Sequence, residues 1–590
     1  MKLTPAFRIA TIPVLSAAVA ALSCGQPAAQ KSAPGPSVES PANGAAPAAQ
    51  PPVITISRVV PTDIPGGAPG ASLTAAAAFA WQEFIALNWP AVPQTGAPGT
   101  RDQADAGAKF GVRAYPLAWH TYRGKVEIFP GTGNPAGCTL NQGGTACAQM
   151  PGSGYGYDAP PRYIYSQVPI PPASGSPDPT TPWINLDENS EIGLDKMFAG
   201  VAAANAPPLG NQILFLAKAN RAEYDYVAGN GWWGLTPPPP FSATATYVST
   251  NRRDPPPGSS NLVSFPNGTI ELKAAWRKLA PTEDASRYYQ APVRYYVTGA
   301  NSKPAYVDDT LALVALHIIQ KTPTAPYFVY ATFEQADNIT DKNGKPVEDP
   351  DGRFIGTPPP STPMNPNITS KNAVSANPAS ASSIQQLSPA TSSVDPAGQL
   401  YYVNTPNTPT PQGKIAVNMR EHAIPGEIIA VNAAAHQAIA AYAAQNGVGS
   451  TPWAYYKLIN VQSRPIAGKQ PGVTYTGPDA ATFYQANSVV ETDYSLQVFS
   501  GQFQPPLNAT NTPNVTDLIT DFNLDGTVFN NVEYNGTAYN MGGCMGCHGN
   551  AQAAGKGFSF ILGFQRDTSP DTVGPVPPSQ AIARFKKLFR

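Results

Sequence analysis

Charge is scarce in this chain. Only 13% of its 590 residues are Asp, Glu, Lys or Arg, and the formal net charge is −1, so the concentrated Lys and Arg that nucleic-acid binding requires are missing. Cysteine and histidine are scarcer still, at five each. A single Cys-x-x-Cys pair leaves no second pair for a four-cysteine zinc site. No segment after the N-terminal stretch is long and apolar enough to span a bilayer, and no internal repeat is present. Proline (67 residues) and glycine (51) are abundant and cut the chain into short runs.

The most informative run is Gly543-Cys544-Met545-Gly546-Cys547-His548. At this composition, random order would give roughly 4 × 10⁻⁴ Cys-x-x-Cys-His matches. The spacing lets two thioethers hold a haem while the adjacent imidazole takes the iron. A redox dithiol and half of a metal site are the alternative chemistries of such a pair. Glycines at 542, 543, 546 and 549 let backbone lie close to a flat macrocycle, although glycine also simply makes loops.

The N-terminus carries Lys2 and Arg8 and then a mostly apolar stretch from Ile9 to Leu22, short of the ~20 residues that a spanning helix needs. Residues 1–23 read as an export signal. Ala21-Leu22-Ser23-Cys24 resembles a bacterial lipobox, with Ala21 where Leu is usual; the resemblance implies a lipid, and so membrane anchoring, on Cys24. Residues 24–52 are almost wholly small and polar and form a disordered tether. Export places the mature chain in the periplasm or on the outer membrane or cell surface of a bacterium. There Cys138 and Cys147, flanking a Gly-rich turn, can close a disulfide worth roughly 2–3 kcal/mol; the alternative is two unpaired buried thiols.

The fold class expected is α+β and β-rich, a large antiparallel-sheet body with few helices and a small C-terminal haem-c segment. A β-rich domain spans 53–337, a linker-like connection 338–396, and an α+β region 397–590 that ends in the haem segment at about 490–590. Ser72 or Thr74 caps a first helix near Leu73 to Leu87, with Ala77, Trp81, Phe84 and Ile85 at helical spacing. Ile270 to Arg277 alternates apolar and mostly charged residues, which predicts a strand with one wet face. Gln212 to Ala217, Val293 to Thr298, Leu311 to Gln320, Tyr327 to Phe333 and Tyr455 to Val461 read as further strands, the third of them apolar on both faces and therefore central. Strand-like segments also lie near Leu400 and Ile415. Glu427 to Gln445 reads as a helix that Gly447 ends. Gly557 to Leu562 is strand-like, and Ser579 to Arg590 suits a short amphipathic helix.

On Cys544 to His548 the chain resembles c-type cytochromes. The resemblance implies thioether attachment at Cys544 and Cys547 and His548 as proximal iron ligand. Small cytochromes of that class place a distal Met downstream, whereas no Met or His follows His548 here. A sixth ligand therefore comes from upstream or is absent. His317 lies in an apolar strand where its imidazole needs a partner, either iron or a hydrogen bond. Met419 is the other candidate, against a role as core gap-filler. His436 sits beside the apolar stripe of its helix as a surface residue, and His120 and His422 lie in loop-like sequence. Met541 and Met545 are too close to the attachment to reach the far side of a haem. Trp81 to Pro90 and Leu316 to Asn338 are also similar to stretches of exported bacterial proteins with one C-terminal haem motif.

Asp521 to Gly526 matches the first half of a calcium loop, but position twelve is Val532 and Glu533 comes one residue late, so the segment reads as a turn more than as a calcium site. Glu188, Glu191 and Asp195 read as a solvated carboxylate cluster, and Trp232 with Trp233 as a packed corner. Three functions remain open. One is an electron-transfer protein with a redox partner protein, one a peroxidase- or oxygenase-type enzyme with a small-molecule substrate over an open iron, and one a haem-based sensor or binding module.

Overall fold

The structure, a computed structural model, describes residues 52–97, 99–130, 157–167, 181–188, 213–233, 238–279, 281, 283–299, 302–339, 345–356, 423–465, 487–490, 532–539, 543–563 and 569–573. Of short strands between 370 and 420 it describes the backbone. The export signal with Cys24, the tether up to residue 51, Cys138, Cys147, His422, the 521–531 segment and the 579–590 helix lie outside these residues.

Helix α1, Leu73–Leu87, begins where Ser72 Oγ accepts the Ala75 N–H at 3.2 Å, a side-chain cap on a donor the helix cannot satisfy itself. Ala76, Ala77 and Ala80 and the aromatic residues Phe79, Trp81 and Phe84 are buried. The remaining helices are α2 (Lys125–Ile128), α3 (Arg221–Gly229), α4 (Phe241–Asn251), α5 (Gly426–Asn446) and α6 (Gly543–Ala553). Gly447 ends α5 in the left-handed region at φ 64°, where only glycine sits without strain.

The body is a β-rich α+β fold whose large sheet curls into a nearly closed barrel. Its strands run in the order β1 (Arg123–Gly124), β3 (Leu214–Ala219), β4 (Ile270–Arg277), β6 (Pro304–Gln320), β5 (Gln290–Thr298) and β2 (Ile184–Leu186). Strand β7 (Val329–Gln335) pairs with β6, and β13 (Tyr456–Gln462) with β7. Pairings are antiparallel except β2 with β5, which is parallel. Strand β6 is 17 residues long; its first half pairs with β5 and its second half lies between β4 and β7. The β7–β13 pairing puts the 53–337 and 397–590 regions into one sheet. Between them, Val347 and Glu348 are buried and Glu348 is paired with Lys457 at 2.6 Å. Strands β8 (Ser370–Ala373), β9 (Ser383–Gln385), β10 (Tyr401–Val403), β11 (Pro411–Lys414) and β12 (Ala416–Arg420) form two small separate sheets, and β14 (Val532–Tyr534) with β15 (Thr537–Tyr539) a hairpin.

The expected wet face of β4 does not exist. Ile270, Leu272, Ala274 and Trp276 join a core with α1 and α5. On the other face Glu271 is 5% exposed, on the side where a second apolar cluster drawn from α3, α4 and α6 packs, and Arg277 is 4% exposed against Tyr288. Pairing satisfies the charge on that face: Arg277 donates to Glu283 at 2.5 Å. Gly557 to Leu562 is no strand either. Gly557 and Phe558 both take φ of 67°, which breaks extended backbone, and a 3₁₀ turn follows at Ile561–Gly563.

Asn432 of α5 ties the first core together. It accepts Trp81 Nε1–H (2.8 Å) and the Leu458 N–H (3.1 Å), and donates to the carbonyls of Asp351 (2.9 Å) and Leu458 (3.0 Å). The side chain is fully buried, so each orphaned partner costs about 1–3 kcal/mol. Asn432→Ala is expected to lower stability by at least about 3 kcal/mol, read as a fall in the urea midpoint at unchanged slope.

Candidate functional site

The Cys-x-x-Cys-His residues lie in the first half of helix α6. Cys544 and His548, four residues apart, fall on one face of it. His548 Nδ1 donates to the Phe558 carbonyl at 2.8 Å. That bond fixes the tautomer and places the ring's lone pair on Nε2, the second-neighbour arrangement that orients a metal-binding imidazole. Rings of Tyr330 and Phe560 flank the imidazole, with centroids 4.8 and 4.7 Å away. Cys544 is half-buried at the edge of the second apolar cluster, and Met545 is fully buried within it.

Register explains why α6 sits here. Across the sheet, Lys273 of β4 lies opposite His317 of β6, His317 opposite Thr332 of β7, and Thr332 opposite Asn460 of β13. Two residues along, on the same face, Glu271, Ile319, Tyr330 and Gln462 form the next row. The motif helix touches that second row twice: His548 meets Tyr330, and the Met545 N–H donates to Gln462 Oε1 at 3.2 Å. Its C-terminal end is anchored by Gln552 Nε2 donating to Asp254 Oδ1 at 2.5 Å, while Asp254 Oδ2 accepts from Lys321 at 2.6 Å. Gly555, at φ 76°, lies so close to the Phe241 carbonyl that a Cβ would collide with it.

His317 is half-buried on the face that α6 covers, one row from Tyr330. Its Nε2 lies 3.3 Å from Thr332 Oγ1, which also accepts Asn487 Nδ2–H at 2.9 Å. Burial, then the Lys273 ammonium, then His548 itself hold the His317 imidazole down at about 3, so the ring is neutral at physiological pH.

The other candidates are placed elsewhere. His436 is not a surface residue: it is half-buried, with Nδ1 on Asp351 Oδ1 (2.7 Å) and Nε2 on the Tyr456 carbonyl (2.8 Å), both nitrogens thereby committed. His120 is buried beside Trp276 and Tyr289 of the first core, across the sheet from α6. Met419 lies on β12, which pairs with β8 in a separate sheet; its side chain and that of Cys547 are outside the described residues. Glu188 is not solvated: it is buried and paired with Lys125 at 3.4 Å, while Glu191 and Asp195 are outside the described residues. Trp232 is a packed corner, edge-on to Tyr226 at 5.1 Å. No known protein family, curated protein or solved structure matches the chain.

Buried charge is the feature that sequence reading missed, because spacing along the chain does not show which charged residues the fold encloses. Glu127 accepts from Arg123 (2.9 Å) and Arg101 (3.2 Å), all three fully enclosed. Burial alone would raise the Glu127 carboxyl, but Arg101 and Arg123 outweigh it and hold the group at about 2. Glu223 is buried with its carboxyl against that of Glu271, and desolvation with the neighbouring carboxyl pushes it well up. For Glu127 the folded value lies below the unfolded one, so its stabilisation is full above about pH 4.5 and is lost as pH falls toward 2. Glu127→Gln is expected to cost about 3–5 kcal/mol at pH 7 by stranding buried guanidinium charge. The difference from wild type is expected to shrink between pH 5 and pH 2, measured by urea unfolding.

Proposed function

We propose that the chain is an exported mono-haem c-type cytochrome that transfers single electrons in the periplasm or at the cell surface. Cys544 and Cys547 would carry the thioethers and His548 would bind the iron. The observation that supports this most is the His548 Nδ1–H bond to the Phe558 carbonyl at 2.8 Å, which orients an imidazole with its lone pair on the metal-binding nitrogen. The aromatic walls of Tyr330 and Phe560 and the apolar cluster around Met545 fit a flat, largely apolar macrocycle. A haem bound there supplies one-electron iron chemistry.

The chain's own residues do the rest. Tyr330 packs on His548, and Phe558 packs on Tyr327 beside it; the polarity of that setting, together with the axial ligands, would set the potential. A mono-haem carrier needs only ~100 residues, so the β-rich body is assigned to docking the redox partner protein. Cys24 would hold the mature chain to a membrane by lipid, and Cys138 with Cys147 would form a disulfide.

Expression in a bacterial host equipped for haem maturation is expected to yield one haem mass on the denatured C-terminal peptide. Cys544→Ser with Cys547→Ser is expected to remove it entirely while leaving the far-ultraviolet circular dichroism of the body unchanged. A wild-type peptide without that mass would sink the proposal.

A further inference from the structure

We propose that His317, on strand β6, supplies the sixth ligand to the iron bound by His548, so that the body and the C-terminal helix close one haem site between them. This rests on the haem reading above and adds a specific partner to it.

Three observations converge on this residue. First, both imidazoles border Tyr330: His548 packs on it at 4.8 Å, and His317, two residues back from the Ile319 that lies opposite Tyr330, is its diagonal neighbour on the same face. Diagonal neighbours across an antiparallel pair lie ~7–8 Å apart, within reach of long and aromatic side chains. Second, the other candidate ligands among the described side chains are engaged elsewhere. His436 has both nitrogens bonded, His120 lies with the core on the opposite face, and Met545 is enclosed within the attachment loop with its N–H on Gln462. Third, the contact that His317 makes with Thr332 is long and is replaceable for Thr332. The His317 contact with Thr332 is 3.3 Å, beyond the ~2.7–3.2 Å of a good N–H···O bond. Thr332 keeps a partner when that contact goes, because Asn487 donates to it at 2.9 Å.

Thr332 and Asn487 are then positioning residues. Asn487 Nδ2 also donates to the Phe333 carbonyl at 3.1 Å, so the pair holds the ring's neighbourhood to the backbone of β7.

The test uses the full mature chain with haem attached. The wild type is expected to be low-spin, with a reduced spectrum indifferent to carbon monoxide. His317→Ala is expected to keep one covalent haem by mass, turn high-spin, bind carbon monoxide when reduced, and return to low-spin on adding imidazole. His317→Met keeps a ligand and is expected to stay low-spin with a raised potential, as Met/His ligation does; it decides the matter should the alanine variant not fold. A wild type that carries haem yet binds carbon monoxide, or a His317→Ala protein with an unchanged spectrum, overturns the ligand assignment and leaves the haem reading standing. Absence of haem on the wild-type peptide overturns both.

Discussion

Antiparallel pairing of β6 with β7 is the constraint from which both cores and the candidate site follow. The second half of β6 is flanked by β4 on one edge and β7 on the other, and apolar clusters cover both of its faces. Alternation then decides everything about this strand. Leu316 and Ile318 go to the α1 side, while His317 and Ile319 go to the α6 side. A slip of one residue would exchange the two sets, putting an imidazole among Trp81, Phe84 and Phe333 and an isobutyl group beside His548. Tyr456 guards against this slip, because its hydroxyl donates to the Leu313 carbonyl at 2.8 Å and accepts the Tyr289 N–H at 3.1 Å. One side chain thereby ties β13 to both β6 and the start of β5.

On that fixed surface the motif helix docks by features that belong to α6 and the turn after it. The glycine at 555 permits approach to Phe241, and the paired positive φ values at Gly557 and Phe558 turn the chain back. That reversal carries the Phe558 carbonyl to His548 Nδ1. Phe558 in a left-handed conformation costs of order 1 kcal/mol, and its burial with Tyr327 offsets that cost. The turn is strained in order to place a carbonyl, and the carbonyl places the imidazole.

How much of this was legible follows from the range of each signal. Helix α1, with its Ser72 cap, and helix α5, with Gly447 behind it, were readable because caps and 3.6-residue periodicity are local. The central place of β6 was readable because an apolar run on both faces has no other home in a sheet. The wet face expected of β4 is absent for a physical reason: alternation reports which side chains are polar, and cannot report which other segments of the chain return to bury them. Arg277 with Glu283, and Arg101 and Arg123 with Glu127, are polar residues made compatible with burial by partners that only the fold supplies. His436 was misplaced in the same way, since its partners Asp351 and Tyr456 come from a loop and a strand outside its helix. At the site itself, the sequence pointed to His548 through its motif and to His317 through its setting, but the row that relates them is a matter of register, which no local pattern encodes.

A ligand drawn from a strand covered on both faces has a consequence for electron transfer that a ligand drawn from a loop does not. Groups on rigid, packed elements are held more closely to their working position than groups on loops, and a densely packed interior resists displacement. On the proposed reading, an imidazole set in β6, with Lys273 and Thr332 on its flanking strands, would have little room to move when the charge on the iron changes. The motif helix carries no such anchor of its own, since nothing after His548 can reach iron as Met or His. On the proposed reading, the body therefore supplies the rigidity and the second ligand that a short cytochrome segment would otherwise carry within itself. The body would then serve the haem site as well as the partner that docks on it.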